Sequence, residues 1–431
     1  MTIDIHDIEE IIQQQNVWRQ TQTINLIASE NTPSEAVRRV QNSDFMGRYA
    51  EGHPNEGEQV NRYYQGTQYI DRIEHMAEHE LLELFDAKQA DVRPISGNAA
   101  NTALALSILR GGDTVIANST DAGGHISHGA VGVFGRRIQD RGQSLKVGGS
   151  NSIHLNYLPL TEDRYHVNAQ KTIELVDQLN PQLVILGKSL FLFPEPVSEV
   201  AAFCQTKDIP VLYDAAHVLG LIAGGQFQSP LQEGATWMTG STHKTFPGPQ
   251  RGIILGNLGD PAALKKYWQP ADRGVFPGSS SNHHLNTLPA LLVAIREMKR
   301  YGQAYAAQIV RNAQALGRSL DELGTPVEAR EFGYTRSHMI AVNVAQWDGG
   351  VEVAKRLEEN DIIVNYNMLP GDADPRNPSG LRIGVSEMTR FGMDEPAMSE
   401  LAQLIHDAVR GKKVKDAVHS LRSRYVDMNY V

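Results

Sequence analysis

Thr239-Gly-Ser-Thr-His-Lys-Thr-Phe-Pro-Gly-Pro-Gln-Arg251 is the stretch from which the organisation of this 431-residue chain can be worked out. It surrounds Lys244 with small, hydroxylated, Gly and Pro residues, a composition that does not continue as an ordinary helix. Directly after it, Gly252-Ile-Ile-Leu-Gly256 is a short apolar run between glycines, which predicts a buried strand. Lys244 is therefore expected between two structural elements, although a solvated loop lysine is the simpler interpretation of this residue alone.

A second motif, Val211-Leu-Tyr-Asp-Ala-Ala-His217, predicts an apolar strand that ends at Asp214. A buried carboxylate is costly unless it has a partner, and the protonated ring nitrogen of pyridoxal phosphate is such a partner. A lysine that is desolvated between two elements can act as a neutral amine and form a Schiff base with the aldehyde of the same cofactor. Asp214 alone would fit a helix cap, but Asp214, His217 and Lys244 in this order favour pyridoxal phosphate chemistry.

Residues 214–223, Asp-Ala-Ala-His-Val-Leu-Gly-Leu-Ile-Ala, followed by Ser241-Thr-His-Lys-Thr245, resemble the serine hydroxymethyltransferase family. The resemblance extends from Asn25-Leu-Ile-Ala-Ser-Glu-Asn31 to Gly380-Leu-Arg-Ile-Gly384 and so covers most of the chain. Gly-Pro-Gln after the lysine and the run Ser281-Asn-His-His284 are closer to archaeal-type members than to common bacterial ones. The resemblance implies an aminotransferase-like fold of type I.

The expected architecture is therefore α/β, with a large, mainly parallel sheet domain and a smaller C-terminal α/β domain. We expect an N-terminal helical arm at 1–30, a large cofactor-binding domain at 31–285, and a linker helix with the small domain at 286–431. Alternating strand and helix patterns through 90–260 support a parallel sheet covered on both faces.

Bulk composition excludes several function classes. The chain has 40 Lys and Arg against 50 Asp and Glu, a net charge of −10, so no basic surplus suggests a nucleic-acid partner. Cys204 is the single cysteine, which excludes an internal disulfide framework and fits a reducing cytoplasm. No apolar run approaches the roughly 20 residues that span a bilayer, and the N-terminus lacks the apolar core of a signal peptide. A cytoplasmic protein without a membrane partner is expected.

Ser96-Gly-Asn-Ala-Ala-Asn101 precedes an Ala- and Leu-rich segment that predicts a helix ending near Leu109. A Ser-Gly turn at a helix start directs backbone N–H groups and the positive end of the helix dipole at an anion, although such a serine is commonly only an N-cap. Together with Lys244, the segment predicts that Ser96, Gly97 and Asn98 hold the cofactor phosphate. Asn98 stands where the family usually has a second serine.

The resemblance also implies contacts to the cofactor ring. His125 matches the position of an imidazole that stacks on the ring, and Ser189 matches a serine near the ring hydroxyl. The spacing of His125 and His128 would otherwise suggest a metal, but no third ligand with suitable spacing follows, so no metal is predicted. The remaining residues expected at the cofactor are Asp214, His217, Ser241, Thr242, His243 and the Schiff-base residue Lys244.

Two loop segments, Tyr49-Ala-Glu-Gly52 and Arg62-Tyr-Tyr-Gln-Gly66, contain tyrosine hydroxyls and one carboxylate. By resemblance, Tyr49 reaches the cofactor phosphate of the neighbouring subunit, and Glu51 is a catalytic residue that moves protons near the pterin and the hydroxymethyl group. Tyr63 and Tyr64 are expected to line the substrate pocket, with Tyr64 also catalytic. The link between the two loops, residues 53–61, is longer than the family usually has.

Three further segments complete the implied site. Ser29 is expected near the substrate carboxylate, although Ser-Glu-Asn also suits a helix cap. Arg382 lies between apolar residues on a predicted strand, and its guanidinium suits bidentate capture of the amino acid's carboxylate. Gly278 and Ser279 lie in 275–281, which resembles a loop that crosses the dimer interface to the partner's phosphate.

The implied activity is reversible transfer of a one-carbon unit from serine to a reduced pterin, tetrahydrofolate or tetrahydromethanopterin, leaving glycine. A homodimer with active sites shared across the interface is implied as well. Lys244, Asp214 and Arg382 would equally serve a threonine aldolase or transaldolase, which needs no pterin, or a 2-methylserine hydroxymethyltransferase. A non-catalytic scaffold protein that keeps the fold is a further alternative.

One position departs from the family pattern. An arginine usually stands six residues after the Schiff-base lysine, where this chain has Gln250 followed by Arg251. Consecutive residues of a strand face opposite sides. Arg251 is therefore not expected to replace the missing arginine. The sequence thus defines the type of reaction more closely than it defines the substrate and the pterin carrier.

Overall fold

The computed structural model of the chain describes residues 5–130, 132–134 and 153–431. In chain order, its strands are β1 (Ile24–Asn25), β2 (Gln89–Asp91), β3 (Thr114–Ala117), β4 (His154–Tyr157), β5 (Leu183–Leu186), β6 (Val211–Asp214), β7 (Trp237–His243), β8 (Pro247–Gly256), β9 (Met339–Asn343), β10 (Ile362–Ile363), β11 (Asn365–Asn367) and β12 (Gly380–Gly384).

The α-helices connect and cover these strands. They are α1 (His6–Val17), α2 (Glu35–Arg39), α3 (Gln68–Phe85), α4 (Gly97–Ile108), α5 (Ala169–Leu179), α6 (Val197–Thr206), α7 (Leu219–Ala223), α8 (Pro261–Ala263), α9 (Gln269–Arg273), α10 (Thr287–Glu322), α11 (Gly349–Glu358), α12 (Ser386–Arg390), α13 (Glu395–Val409) and α14 (Lys415–Arg422). Across the described residues, no helix is long and apolar enough to cross a membrane.

The chain divides into two compact units, Pro33–Ala306 and a second unit formed by Met1–Thr32 together with Ala307–Val431. In the second unit, β1 pairs in parallel with β10, so the N-terminal segment belongs with C-terminal residues. A helical pattern alone suggests a separate arm, because it carries no sign of this distant strand pairing. Residues 1–4 of the predicted arm lie outside the described residues.

The unit Pro33–Ala306 is built around a sheet in which the described residues form seven strands, in the order β2-β8-β7-β6-β5-β3-β4. The pairings from β7 through β6, β5 and β3 to β4 are parallel, and those of β2 with β8 and of β8 with β7 are antiparallel. Strands β5 and β6 are buried along their whole length, as expected for parallel strands covered on both faces. The predicted α/β class with a mainly parallel sheet is confirmed.

Helix α4 packs on this sheet through small residues. Ala100, Ala103 and Leu104 are fully buried in one apolar cluster with Leu212 of β6 and Trp237 of β7. The small side chains let the helix lie close to the strands, which brings its N-terminus near the ends of β6 and β7. In open parallel sheets, ligands bind beyond the carboxyl ends of the strands.

A single long helix, α10, replaces the two helices that the sequence predicts at 285–301 and 309–323. Gly302 lies inside it, and a glycine costs a helix about 1 kcal/mol relative to alanine, which favours a break. In the structure, a Cβ on Gly224 would lie 2.4 Å from the carbonyl oxygen of Gly302. The close packing of these two backbones explains why a weak helix former is retained there.

In the second unit, β11, β12 and β9 form an antiparallel sheet in that order. The strands predicted near 339–344 and 380–384 are confirmed as β9 and β12. On β12, Arg382 lies opposite Asn365 of β11 and Ala341 of β9. The sheet therefore fixes the backbone of Arg382 from both sides.

Candidate active site

Lys244 lies in the turn that joins β7 to β8, where His243 pairs with Pro247. The next residue, Thr245, donates its hydroxyl to the carbonyl oxygen of His217 at 2.8 Å and accepts the N–H of Gly220 at 3.0 Å. These bonds tie the turn to the segment that follows β6. Lys244 is 9% exposed, so its amine is shielded from bulk water as Schiff-base chemistry requires.

The carboxylate of Asp214, at the end of β6, is buried and surrounded by donors. Its Oδ2 accepts hydrogen bonds from Nδ2 of Asn101 at 2.8 Å and from Nε2 of His128 at 3.0 Å, and its Oδ1 accepts the N–H of Ala216 at 2.9 Å. Burial opposes ionisation, but the hydrogen bond and positive charge of His128, with the charge of His125, hold the pKa of Asp214 well below its usual range. Asp214 is therefore an anion near neutral pH, able to stabilise a protonated ring nitrogen.

Sequence reasoning missed both side-chain partners of Asp214. Asn101 lies on the buried face of α4, and the hydroxyl of Thr239 donates to its Oδ1 at 2.7 Å, which turns the amide N–H₂ toward Asp214. A buried amide on an Ala- and Leu-rich helix needs a hydrogen-bond partner, and that requirement was the available signal. His128 was considered only as a metal ligand. Over the described ranges, no group of three or more His, Cys, Asp and Glu side chains is arranged to hold a metal ion.

His125 lies beside His128 and close to the carboxylate of Asp214. The N–H of Ser127 donates to its Nδ1 at 3.2 Å, and the Ser127 hydroxyl lies 2.7 Å from the same nitrogen. The rings of His125 and His128 meet edge to face, with centroids 5.9 Å apart. The backbone N–H of Ser189 donates to the carbonyl oxygen of Gly123 at 2.7 Å, so the predicted ring contacts Ser189 and His125 lie on segments that are joined to each other.

The N-terminus of α4 and the side chain of Ser241 form a small polar cup. Ser96 caps the helix by accepting the N–H of Ala99 at 3.1 Å. A Cβ on Gly97 would lie only 2.4 Å from the hydroxyl oxygen of Ser241, so glycine is required at this close approach. The first N–H groups of a helix, at Gly97 and Asn98, have no partner within the helix and favour an anion.

The two residues before Lys244 differ in what their side chains do. Thr242 donates its hydroxyl to the carbonyl oxygen of Pro249 at 2.6 Å, so this predicted cofactor contact is used inside the β7–β8 hairpin. Burial, together with the positive charge of Lys244, lowers the pKa of His243 to about 4. His243 is therefore neutral at physiological pH. His217 is buried after β6, and its backbone carbonyl is the acceptor for Thr245.

Arg62 organises the loop that carries the predicted proton-transfer residue. Its Nη1 donates to the carbonyl oxygens of Ala50 at 2.6 Å and Gly52 at 2.9 Å, on either side of Glu51. The negative charge of Glu51 is the main cause that raises the pKa of Tyr64. The ring of Tyr64 lies 5.3 Å from that of Tyr49. The structure therefore brings Glu51 and these two tyrosines together.

Tyr63 and the loop predicted to cross a dimer interface also meet. The ring of Tyr63 lies 5.6 Å from that of Phe276, three residues before Ser279. The hydroxyl of Ser279 donates to the carbonyl oxygen of Val275 at 3.3 Å, and Gly278 lies in the same short helical segment. Tyr49, Tyr63 and Tyr64 are 53%, 74% and 41% exposed, respectively.

The two predicted contacts to the substrate carboxylate lie in the second unit. Ser29 is half-buried in a turn in which the N–H of Glu30 donates to the carbonyl of Ile27, so it does not cap a helix. Arg382 is buried, its Nε donates to Oδ1 of Asn365 at 3.2 Å, and burial lowers its pKa to about 10. It therefore remains a cation at neutral pH.

The prediction that Gln250 and Arg251 face opposite sides of their strand is confirmed. On β8, Gln250 is exposed whereas Arg251 is fully buried, so the two side chains take opposite faces of the strand. Arg251 donates to the carbonyl oxygens of Val92 at 2.6 Å and His284 at 2.7 Å, and it also contacts His283. Its guanidinium is used inside the protein.

The sequence profile of the serine hydroxymethyltransferase family matches residues 2–405. This chain belongs to the serine hydroxymethyltransferase family. A serine hydroxymethyltransferase of Saccharolobus islandicus strain M.14.25 is 43% identical over 434 residues, covering 99% of this chain and 94% of the relative. The one from Metallosphaera sedula is 40% identical, covering 99% and 95%. The resemblance found in the sequence, including its archaeal character, is confirmed.

A solved structure gives the same picture of the fold. L-threonine transaldolase from Pseudomonas fluorescens, crystallised in its internal aldimine state, superposes with a TM-score of 0.84 at 28% identity. The match covers 98% of this chain and 91% of the transaldolase. This chain thus shares its fold with the transaldolase.

The residues present in this serine hydroxymethyltransferase family member fit pyridoxal phosphate. Asp214 is an ionised partner for the ring nitrogen, the cup at Gly97 and Ser241 suits the phosphate, and Lys244 suits the aldehyde. Within the described ranges, Nδ1 of His128 and Nδ1 of His243 are buried and have no hydrogen-bond partner. Unsatisfied buried nitrogens are costly in a finished site, and a bound polar cofactor would offer them partners.

Proposed function

We propose that this protein transfers a one-carbon unit reversibly between serine and a reduced pterin carrier, with glycine as the other product and pyridoxal phosphate bound to Lys244. The observation that carries the proposal is the joined arrangement of Asp214 and Lys244. His128 and His125 keep the carboxylate ionised, Asn101 donates a hydrogen bond to it, and Thr245 ties the lysine turn to the segment after β6. Family membership and relatives named serine hydroxymethyltransferase support the same activity.

When bound, the cofactor supplies an electron sink for the bond that breaks at the α-carbon of the amino acid. Asp214 would hold the proton on the ring nitrogen, and His125 would cover the ring. Arg382 and Ser29 bind the amino acid's carboxylate. Glu51 exchanges a proton with the carrier and the departing hydroxyl group, with Tyr64 beside it.

The carrier is a reduced pterin, and tetrahydrofolate and tetrahydromethanopterin both satisfy the chemistry. Carrier-dependent cleavage of serine by the purified protein, measured with each pterin in turn, tests the proposal. Failure of both carriers to increase serine cleavage would remove the hydroxymethyltransferase function.

A homodimer with shared active sites belongs to the same proposal. The exposure of Tyr49 suits a side chain that reaches into a partner's site, and Tyr63 lies next to Phe276 of the loop predicted to cross the interface. Gly278 and Ser279 would then contact the partner's phosphate. Sedimentation equilibrium measures the subunit number, and a monomer with full activity would contradict the shared site. A cytoplasmic location, suggested by the single cysteine, also remains a proposal.

The similarity to L-threonine transaldolase favours one second candidate, a pterin-independent aldolase or transaldolase. The hydroxymethyltransferase and the aldolase or transaldolase can be distinguished by the substrates that they turn over. Turnover of serine, threonine and 2-methylserine, each with and without a pterin, distinguishes the hydroxymethyltransferase, the transaldolase and the 2-methylserine version. A protein that binds no pyridoxal phosphate at all would be the non-catalytic scaffold.

Glu51→Gln is expected to reduce carrier-dependent serine turnover by about 10²–10⁴-fold. Glutamine keeps the shape of the side chain but removes the group that titrates. Cleavage of threonine-like substrates without a carrier should fall far less, because no carrier nitrogen then needs a proton. Steady-state kinetics with and without the pterin measure both activities.

The matched control is Glu58→Gln, which removes an exposed carboxylate from the same loop region. It should leave both activities unchanged. Equal loss of the two activities in Glu51→Gln would make Glu51 a general catalyst of cleavage and remove its role toward the carrier.

Arg382→Ala is expected to weaken binding of serine and glycine by about 2–5 kcal/mol, because their carboxylate loses a buried guanidinium partner. Cofactor binding should persist. Titration of the cofactor's absorbance with glycine measures the affinity. Arg382→Lys, which keeps the charge but loses the two-pronged geometry, covers the case in which alanine disturbs folding.

Arg376→Ala is the control, since Arg376 is an exposed arginine that pairs with Asp374 in the same unit. It should bind glycine like the parent protein. Glycine affinity within about twofold of the parent in both Arg382 variants, a difference well below 1 kcal/mol, would show that Arg382 is not the carboxylate contact.

A further inference from the structure

A continuous row of buried polar groups runs beneath the loop that carries Glu51. Nη2 of Arg62 donates to Oε2 of Glu74 at 2.8 Å, and Nε of Arg62 donates to Asp71 at 2.8 Å. Nε2 of His283 lies 3.5 Å from the same Glu74 oxygen. On its other side, Nδ1 of His283 contacts Nη2 of Arg251. The side chains of Arg62, Glu74 and His283 are at most 2% exposed.

The chemistry of the row fixes the state of its central histidine. A guanidinium can only donate, so Nδ1 of His283 must be the acceptor for Arg251 and carries no proton. Burial lowers the pKa of His283, the positive charges of Arg251 and Arg93 act in the same direction, and Glu74 opposes them, so the ring is neutral. Its one proton is then on Nε2 and faces Glu74. Nε2 of His283 makes no hydrogen bond within the described residues, so the ring joins Arg251 to Glu74 by close contact and by the direction of its N–H group.

Each end of the row holds a different part of the active site. At one end, Arg62 donates to the backbone on both sides of Glu51. At the other, Arg251 lies on β8, the strand that leaves the Lys244 turn, and it also donates to the carbonyl oxygen of His284. The row therefore connects the backbone of the proton-transfer loop to the lysine hairpin.

We propose that Arg251, His283 and Glu74 are positioning residues that fix Arg62, and through it the backbone around Glu51, relative to the strand after Lys244. The inference rests on the proposed role of Glu51. It also explains two sequence features that have no role in the proposed reaction. They are Arg251, which stands one position after the usual arginine, and the pair His283-His284.

The surrounding charges favour a positioning role over a titrating one. Asp71 faces Arg62, and Asp91 and Arg93 form a neighbouring buried ion pair. Burial and the negative charge of Glu74 raise the pKa of Glu78 well above its usual value. Glu74 is held as an anion by His283 and Arg62 despite its burial, its pKa lowered to about 2. The row therefore keeps its charges throughout the neutral pH range and works as a fixed support.

The test compares His283→Asn with His284→Asn. Asparagine at 283 retains an oxygen that can accept from Arg251 but has no donor that reaches Glu74. His284 is exposed and contributes its backbone carbonyl, which the substitution leaves in place. In His283→Asn we expect amide hydrogen exchange at 50–52 and 62–63 to accelerate about tenfold, with exchange in β5 and β6 unchanged. His284→Asn should behave like the parent.

A double-mutant cycle separates positioning from a general loss of stability. Carrier-dependent serine turnover should fall about tenfold in His283→Asn, with cofactor binding retained. In the Glu51→Gln background the same substitution should have little further effect, because it acts through Glu51. Additive losses, or unchanged exchange at 50–52, would overturn the proposal.

Glu74→Gln provides a second route if His283→Asn does not fold. Glutamine can still accept from Arg62 but lacks the charge, so the same loop-specific acceleration is expected. If the parent protein shows no carrier dependence, the hydroxymethyltransferase function fails. The exchange comparison then still decides whether the row fixes the loop.

Discussion

Lys244→Ala is expected to lose serine turnover by several orders of magnitude, because the amine both binds the cofactor's aldehyde and carries protons. The variant should remain folded. The turn is held by the pairing of His243 with Pro247 and by the hydrogen bonds of Thr245, and both persist without the lysine side chain. Serine cleavage with and without the pterin, together with thermal unfolding, measures the outcome.

Lys265→Ala is the matched control, an exposed lysine in the segment after β8. It should keep the parent's activity and the visible absorbance of lysine-bound pyridoxal phosphate. Normal serine cleavage in purified Lys244→Ala would remove this residue from the chemistry and with it the proposed reaction.

Asp214→Asn is expected to lower turnover by at least about 10³-fold, since a buried positive charge on the ring nitrogen would lose its counter-ion. Asparagine can still bond to Asn101 and His128, so the fold should tolerate the change. Asp214 has a lowered pKa in the folded protein, so its charge contributes stability above the pKa of the unfolded state. That contribution is lost as pH falls through the folded value.

Two measurements check the Asp214 prediction. Asp121→Asn, at an exposed carboxylate before His125, should be neutral in the turnover assay. In Asp214→Asn, the acid-induced loss of unfolding free energy should be smaller than in the parent. A variant with turnover within about tenfold of the parent would mean that another group stabilises the ring, since tenfold corresponds to only about 1.4 kcal/mol.

Much of the parallel sheet could be predicted from the sequence. The sequence predicts strands at 114–117 and 183–186, which agree with β3 and β5, because a short, mostly apolar run between turn residues has few other ways to be buried. The strand predicted at 252–256 was too short. β8 begins at Pro247, where Pro and Gly residues resemble a loop but pair with β7 at the rim of the hairpin.

The candidate site was predicted for residues that carry a local motif and missed for those that act across the fold. Lys244 and Asp214 stand in recognisable segments. His128 and Asn101 reach Asp214 from positions 86 and 113 residues away in the chain, a proximity that only the packing of α4 and the β3 loop creates.

The close approach of Gly97 to Ser241 limits where this enzyme can be redesigned. On the strand paired with Ser241, a Cβ on Gly252 would lie 2.1 Å from the carbonyl oxygen of Ser96. The start of α4 therefore packs against β7 and β8 so closely that neither glycine has room for a methyl group. Mutant libraries aimed at new substrates should leave Gly97 and Gly252 unchanged, because larger residues do not fit there. Such libraries have room at the exposed Tyr63, which is expected to line the substrate pocket and where a side chain can change size without moving the phosphate cup.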